Sequence, residues 1–235
     1  MSDPLPRVLE ILWQEPSTSR RSRGLSRERI VTAAVELADA DGLGALSMAR
    51  LAERLGCGTM SLYRHVATKD ELVMFMLSTA PGPPPAPAPS DPADWRRGLT
   101  DWAAGLWDIY HRHPWILAAA AAGPPADPGQ LAWLNAGLAA LGGTILSERD
   151  KLAAVMAVLH FVRGAAALNI EAGQVEGPEY PALLRRFVDA ERFPALAAAL
   201  EAGVFDAADD DHLTDFHSGL RQLLDGVAAR LGAHG

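Results

Sequence analysis

The most restrictive feature of the chain is residues 47–72, SMARLAERLGCGTMSLYRHVATKDEL, where three helix starts and a glycine turn crowd into one short span. Met48, Leu51, Ala52 and Leu55 recur at the i, i+3, i+4, i+7 spacing of a buried helical face, and Ser47 stands just before them as an N-cap. Gly56-Cys57-Gly58 follows, with two residues that tolerate positive φ, so the chain can reverse within a few residues. A second helix is predicted over residues 59–66. Only Leu62 and Val66 form its apolar stripe; Met60, Ser61 and Arg64 point away from it, and Tyr63 and His65 flank it. Thr68 and Glu71 then make a T-x-x-E capping box that opens a third helix with Lys69 in its first turn.

This order of cap, helix, glycine turn and short polar helix describes a helix-turn-helix. Hydroxyls, a phenol, a guanidinium and an imidazole on the outer face suit the major groove. There Arg, Ser and Thr meet base edges, Tyr and His reach phosphate oxygens, and Lys69 is placed to clamp a phosphate. A plain helical hairpin with a solvated polar face is the competing description, and composition alone does not separate the two. The combined order of caps, turn and polar face favours DNA.

The net charge of −8 opposes a nucleic-acid partner only until it is divided along the chain. Residues 17–69 carry nine basic and five acidic side chains, a local +4, whereas residues 81–235 carry eleven basic and nineteen acidic, a local −8. Salt screens charges beyond about 8 Å, so DNA meets chiefly the basic end. Cys57 is the only cysteine, which excludes an intramolecular disulfide and a cysteine-rich metal site and suits a reducing cytoplasm. No secretory signal is legible, and charges interrupt the apolar stretches within a few turns, so a soluble cytoplasmic protein with no membrane partner is expected.

Residues 47–72 also resemble the TetR-type one-component transcriptional repressors of bacteria. The resemblance rests on Leu51-Ala52, the Gly56 turn, Leu62-Tyr63, His65 and Lys69-Asp70-Glu71-Leu72, and it extends over residues 26–77. It implies that Ser47, Thr59, Met60, Ser61, Tyr63, Arg64, His65 and Lys69 face DNA.

On either side the chain divides readily. Residues 1–24 read as a flexible basic arm with Arg20, Arg21 and Arg23, although Val8 to Trp13 has the apolar content for one helical turn against the body. Residues 25–80 form the DNA-binding domain, whose first helix is capped by Ser26, turns Ile30, Ala34, Leu37 and Ala38 inward and ends at the glycines from Gly42. Residues 81–94 begin with PGPPPAPAPSDP and read as a stiff, unpacked linker.

From residue 95 the pattern is helical to the end, without strand alternation, so the fold class is all-α. Trp95, Leu99, Trp102, Leu106, Ile109 and Tyr110 share a stripe, and His113-Pro114 stops that helix. Leu131 to Leu141 marks another helix. Ser147 opens a long one to about residue 173, apolar nearly all round, that belongs inside the domain or inside an interface. Two short helices, near residues 183–188 and 195–200, precede a last one carrying Leu213, Phe216, Leu220, Leu223, Val227 and Leu231.

Residues 95–231 resemble the ligand-binding and dimerisation half of tetracycline-repressor relatives, through His113-Pro114-Trp115, Val162-Arg163-Gly164 and Leu224-Asp225-Gly226. The resemblance implies a small, partly apolar effector. Trp102, Trp107, Trp115 and Trp133 offer apolar walls for a pocket, with His111, His160, Arg163 and Asn169 as polar handles; each has core packing as its alternative. The expected pocket lies between the helix of Trp102, Leu106 and Tyr110 and the long helix near Met156 and His160. His111 and His113 diverge on a helix, so no metal site is assigned, and no cofactor is implied.

These readings converge on an all-helical regulator. A homodimer joined through the helices over residues 147–173 and 211–231 would bind a palindromic double-stranded operator and be released by a small molecule. An all-helical enzyme would need a clustered nucleophile, base or metal set, and none is visible. A constitutive DNA-binding protein would show no ligand response, and a helical adaptor would show no salt-dependent DNA affinity.

Overall fold

The computed structural model describes residues 7–14, 24–86, 94–120, 125–172, 180–205 and 211–232, and among these the regular elements are helices alone. The N-terminal bundle begins with α1 (Arg7–Leu12), α2 (Arg27–Asp41), a 3₁₀ turn (Leu43–Ala45) and α3 (Met48–Leu55). It continues with α4 (Thr59–Tyr63) and α5 (Lys69–Thr79). Ser26, Ser47 and Thr68 cap α2, α3 and α5, each hydroxyl accepting the backbone N–H three residues on, at 3.3, 3.3 and 3.0 Å. Ile30, Ala34, Leu37, Leu51, Leu62, Val66, Leu72 and Met76 close over one another as the core. The apolar spacing of the sequence anticipates this core.

Three local details differ from the sequence expectation. Of the two turn glycines only Gly56 uses a left-handed conformation (φ 65°), whereas Gly58 has φ −77° and could be another residue. The second helix of the pair is shorter than residues 59–66, because the amides of His65 and Val66 both donate to the Leu62 carbonyl and tighten the chain into a turn. Thr68 makes its half of the capping box, its Oγ1 accepting from the Glu71 amide, but the Glu71 carboxylate Oε2 accepts from Arg7 at 3.3 Å. The helical turn expected at Val8 to Trp13 is present: α1 packs on α5 with Val8 buried, and Trp13 Nε1 donates to the Ala126 carbonyl. Arg20, Arg21 and Arg23 lie outside the described residues.

The C-terminal bundle comprises α6 (Trp95–Arg112), α7 (Trp115–Ala119), α8 (Pro128–Ala140), α9 (Glu148–Ala172), α10 (Tyr180–Phe187), α11 (Pro194–Glu201) and α12 (Asp211–Gly232). The central α9 packs on α6, α8 and α12. Its best 18-residue stretch reaches a mean hydropathy of 1.6, enough by length and composition to cross a membrane. The charge spacing did not anticipate that. Val155, Val158, Val162 and Ala166 are the line that α9 buries within the bundle, and they account for only a minor share of it, since 22% of that stretch is buried.

The two bundles meet through direct contacts. α5 lies against α7 and α8, and the Gly129 amide donates to Ser78 Oγ at 3.3 Å. A Cβ on Gly129 would sit 2.0 Å from the Ser78 carbonyl oxygen, so the approach requires glycine. The described start of the proline-rich segment is not unpacked: the Gly82 carbonyl accepts from Trp133 Nε1 at 3.0 Å, and Pro85 lies against Gly105. Residues 87–93 of that segment lie outside the described residues.

Candidate functional site

The outer face of α4 is built by what its inner face must do. Leu62 and Val66, both fully buried, anchor the short helix, and the residues between them turn outward. Thr59, Met60 (76% exposed), Tyr63 (45% exposed) and Arg64 project from one side, and exposed Lys69 begins α5 beside them. A methionine and a tyrosine that open to solvent on a helix with a sealed inner face are available for contact with a partner. Ser47, Ser61 and His65 are half-buried, and Ser47 already uses its hydroxyl as a cap. Arg64 donates to Ser61 Oγ at 3.0 Å, holding its guanidinium along the face. Nearby, Arg50 and Arg54 pair with Asp41 and Glu36, at 2.8 and 2.9 Å, whereas Arg64 and Lys69 are exposed at α4 and the start of α5.

The residues expected to line a ligand pocket separate into two groups. Trp102, Leu106, Tyr110 and Trp133 are buried core, and so is Trp107. Trp102 Nε1 donates to the Trp133 carbonyl at 2.8 Å, and a Cβ on Gly137 would lie 2.9 Å from both the Trp102 ring and Val155. The space between α6 and α8 is therefore filled by indole, and the expected pocket wall there is a packing layer. His111 spends both ring nitrogens within the bundle, facing the Trp107 carbonyl at 2.9 Å and Asn169 Oδ1 at 2.7 Å, which ties α6 to α9. Met156 is half-buried on α9 and lies outside the lining of the cavity described below. Burial pushes the Tyr110 phenol above its ordinary pKa of 10.0, and the positive charge of Arg163 opposes that shift.

The remaining three, Trp115, His160 and Arg163, line a cavity of about 820 Å³ that sits elsewhere, between the two bundles. Ala38, Asp39 and Leu43 form one wall, Trp115 and Leu117 of α7 another, and Arg163, Gly164, Ile170 and Glu171 of α9 the third. One oxygen of Asp39 ties α2 to the start of α7 at this junction. Asp39 Oδ1 accepts from His113 Nδ1 and from Trp115 Nε1, both at 2.7 Å, across 74 and 76 residues of chain. A carboxylate can only accept, so the His113 proton sits on Nδ1. On the far side of α7, the Leu117 carbonyl accepts from the Arg163 guanidinium. The short α7 is thus clasped to the N-terminal bundle at one end and to α9 at the other.

Asp39 and His113 were not among the site residues drawn from the sequence. Asp39 is one of several acidic residues on a surface helix, and nothing local marks it. His113 carried a signal, since it opens the His-Pro-Trp run, but its partner is visible only in three dimensions.

Comparison with known proteins agrees with both halves of this arrangement. Residues 30–74 match the family described as bacterial regulatory proteins, tetR family, and residues 88–231 match the tetracyclin repressor-like C-terminal domain. The chain is 34% identical over 244 residues to the HTH-type transcriptional repressor DrrR1 of Streptomyces coeruleorubidus, covering 96% of this chain and 86% of that one. It is 36% identical over 224 residues to an HTH-type transcriptional regulator of Saccharopolyspora erythraea, covering 94% and 92%. Among solved structures, the Streptomyces coelicolor TetR family protein ActR in complex with actinorhodin superposes with a TM-score of 0.76 at 25% identity, over 89% of this chain and 99% of that one.

Proposed function

The chain belongs to the TetR family of DNA-binding transcriptional regulators, and we propose that it is a repressor that grips a palindromic operator as a homodimer and lets go when a small, partly apolar molecule binds. In this reading residues 25–80 are the DNA-binding domain, residues 81–94 the connector and residues 95–235 the effector and dimerisation domain. The observation that carries it is the sealed inner face and open outer face of α4. Leu62 and Val66 lock the helix in place, while Thr59, Met60, Tyr63 and Arg64 stand clear beside Lys69. Thr59, Ser61 and Arg64 are assigned to base edges, and Ser47, Tyr63, His65 and Lys69 to phosphates, with Met60 supplying apolar contact.

Dimerisation is assigned to α9 and α12. Only 22% of the most apolar stretch of α9 is buried within a single chain, and Leu152 (44% exposed) and Leu168 (70% exposed) remain open to solvent. On α12, a Cβ at exposed Gly226 would meet nothing within 4 Å, so that backbone is available to a second copy. Two copies would set their α4 helices one helical turn of DNA apart, about 34 Å, which a single copy cannot do. An effector is expected to be partly apolar because the walls between the bundles are largely aliphatic and aromatic, and the structural neighbour ActR holds actinorhodin.

Selection of duplexes from a random pool by the purified full chain tests the reading. Retained duplexes should share a palindrome, and affinity should fall steeply with salt, since phosphate contacts release counterions. Retention without any common sequence, or no retention at low salt, would refute it.

A further inference from the structure

The first helix, α1, lies before the residues that the tetR family description matches, and none of the assigned DNA or effector contacts falls on it. Six residues do not hold a helix in water by themselves, so α1 is folded because it is docked. Val8 is 6% exposed, and Leu9, Ile11 and Leu12 pack partly buried against the core. At one end Arg7 donates to Glu71 Oε2 in the first turn of α5. Just past the other end, Trp13 Nε1 donates at 3.1 Å to the carbonyl of Ala126, one residue before the N-cap of α8. Three residues beyond Ala126, Gly129 touches Ser78 in the last turn of α5. α1 therefore crosses from the DNA-binding bundle to the C-terminal bundle beside the point where Gly129 and Ser78 bring them together.

Docking of α1 also changes what the Glu71 carboxylate does. The residue is 8% exposed, and Oε1 is buried with no hydrogen-bond partner among the described residues. A buried acceptor left unpaired calls for a physical reason. The T-x-x-E box supplies one, because in a complete box this carboxylate turns back to the N-cap amide, here that of Thr68. With α1 docked the side chain faces Arg7, and Oε1 does not reach that amide. The carboxylate has two destinations, one on α1 and one on its own helix.

We propose that α1 is a strap across the two bundles, which when docked fixes the position of α4 against the C-terminal bundle and when released returns Glu71 to the cap of α5. The proposal rests on the dimeric reading above and adds to it the element that holds the recognition helices at their spacing. α5 follows α4 after a short turn, and it carries both the strap and the contact with α8. Movement of α5 against α8 therefore moves α4. In a dimer, freedom at this joint must be given up when both recognition helices bind one duplex. A strap that has already removed the freedom favours a palindrome and leaves the grip on a single half-site as it was. Undocking is an order-to-disorder change of a short segment, a two-state element that a second signal can bias.

Two full-length variants loosen the strap without touching α4. Val8→Asp places a charge in the buried seat of α1 and should undock it. Trp13→Phe, at a 56% exposed position, keeps an aromatic ring and removes the donor to Ala126, and it remains informative if melting shows that aspartate at position 8 is not tolerated. A duplex selected by the wild-type chain provides the palindrome, and one arm of it followed by unrelated sequence provides the half-site. The ratio of palindrome to half-site affinity should fall about tenfold in Val8→Asp, a factor usual for coupled elements, and about two- to threefold in Trp13→Phe, the low end for one neutral hydrogen bond. Amide hydrogen exchange reads the strap directly. The Trp13 amide, which donates to the Leu9 carbonyl at 2.9 Å, and the Gly129 amide should exchange about tenfold faster or more in Val8→Asp. The Thr68 amide should exchange more slowly in the same variant, and adding Glu71→Ala should abolish that slowing.

An unchanged affinity ratio in the folded variants, or an equal loss on both duplexes, overturns the positioning role. A Trp13 amide unprotected in wild type overturns the docked strap, and a Thr68 amide that does not respond to Val8→Asp overturns the exchange at Glu71. A wild-type chain with no preference for the palindrome over its half-site refutes the dimeric reading instead, and the hydrogen exchange then decides the strap alone.

Discussion

Replacing Trp102 with alanine separates a packing role from a ligand-wall role. The indole is 2% exposed, it fits against Gly137 at less than ordinary van der Waals separation for any larger residue there, and its Nε1 donates to the Trp133 carbonyl at 2.8 Å. Truncating a buried tryptophan to alanine costs about 3–5 kcal/mol, because the surrounding core closes only partly over the space left behind. The Trp133 carbonyl also loses this second donor, a hydrogen bond worth about 0.5–1.5 kcal/mol, while it stays within the hydrogen-bond ladder of α8. The two contributions overlap, so the middle of the truncation range, about 4 kcal/mol, is the expected loss. A destabilisation of that size lowers the melting temperature of a chain this long by about 8–16 °C, at about 2–4 °C per kcal/mol. Trp102→Phe keeps most of the ring and loses the donor, so it should fall between the two. The assay is thermal unfolding followed by circular dichroism, with duplex retention measured well below the transition. A Trp102→Ala protein that melts within about 2 °C of wild type, a shift worth less than about 1 kcal/mol, would show that the indole is not core and would refute the packing assignment.

Other outcomes follow from the same geometry. Tyr63→Phe and Lys69→Ala should weaken duplex retention across sequences and reduce its salt dependence, whereas changes at Thr59 or Arg64 should alter base preference by about 1–3 kcal/mol per contact, read by competition between selected and substituted duplexes. Gly226→Leu should leave folding intact and shift sedimentation toward monomer, because nothing in its own chain occupies the space a side chain would enter. Gly219→Leu should instead lower the melting temperature, since a Cβ there would lie 2.5 Å from the Phe161 ring of the same chain; a wild-type melting curve would contradict that packing. Tyr110 gives a pH signature: its folded pKa is raised above 10.0 by burial, so the stability it contributes is present below pH 10 and is lost as pH rises through the folded value. Tyr110→Phe should flatten the alkaline fall in stability above pH 10, and an unchanged slope in denaturation curves across that range would remove the assignment.

What the sequence determined by itself is what short stretches of chain encode. Ser26, Ser47 and Thr68 cap their own helices through amides three residues away, and the spacing of Leu51, Leu62, Val66 and Leu72 selects which faces are buried before any partner is known. The helix-turn-helix and the sensor helices were legible for that reason, and so was the outward face of α4. The tertiary structure decided the questions in which several partners suit the same residue equally well. Trp102 and Trp133 satisfy one apolar pattern whether they wall a pocket or fill a core, and only the approach of Gly137 and Val155 settles that they pack. Gly219 and Gly226 look alike on one helix face, yet the first accommodates Phe161 and the second is open. Asp39 meets His113 and Trp115 across more than seventy residues, and α1 finds α5 across a similar distance. Backbone capping and periodicity act within one or two helical turns, whereas these contacts exist only where the path of the whole chain brings distant side chains within hydrogen-bonding range.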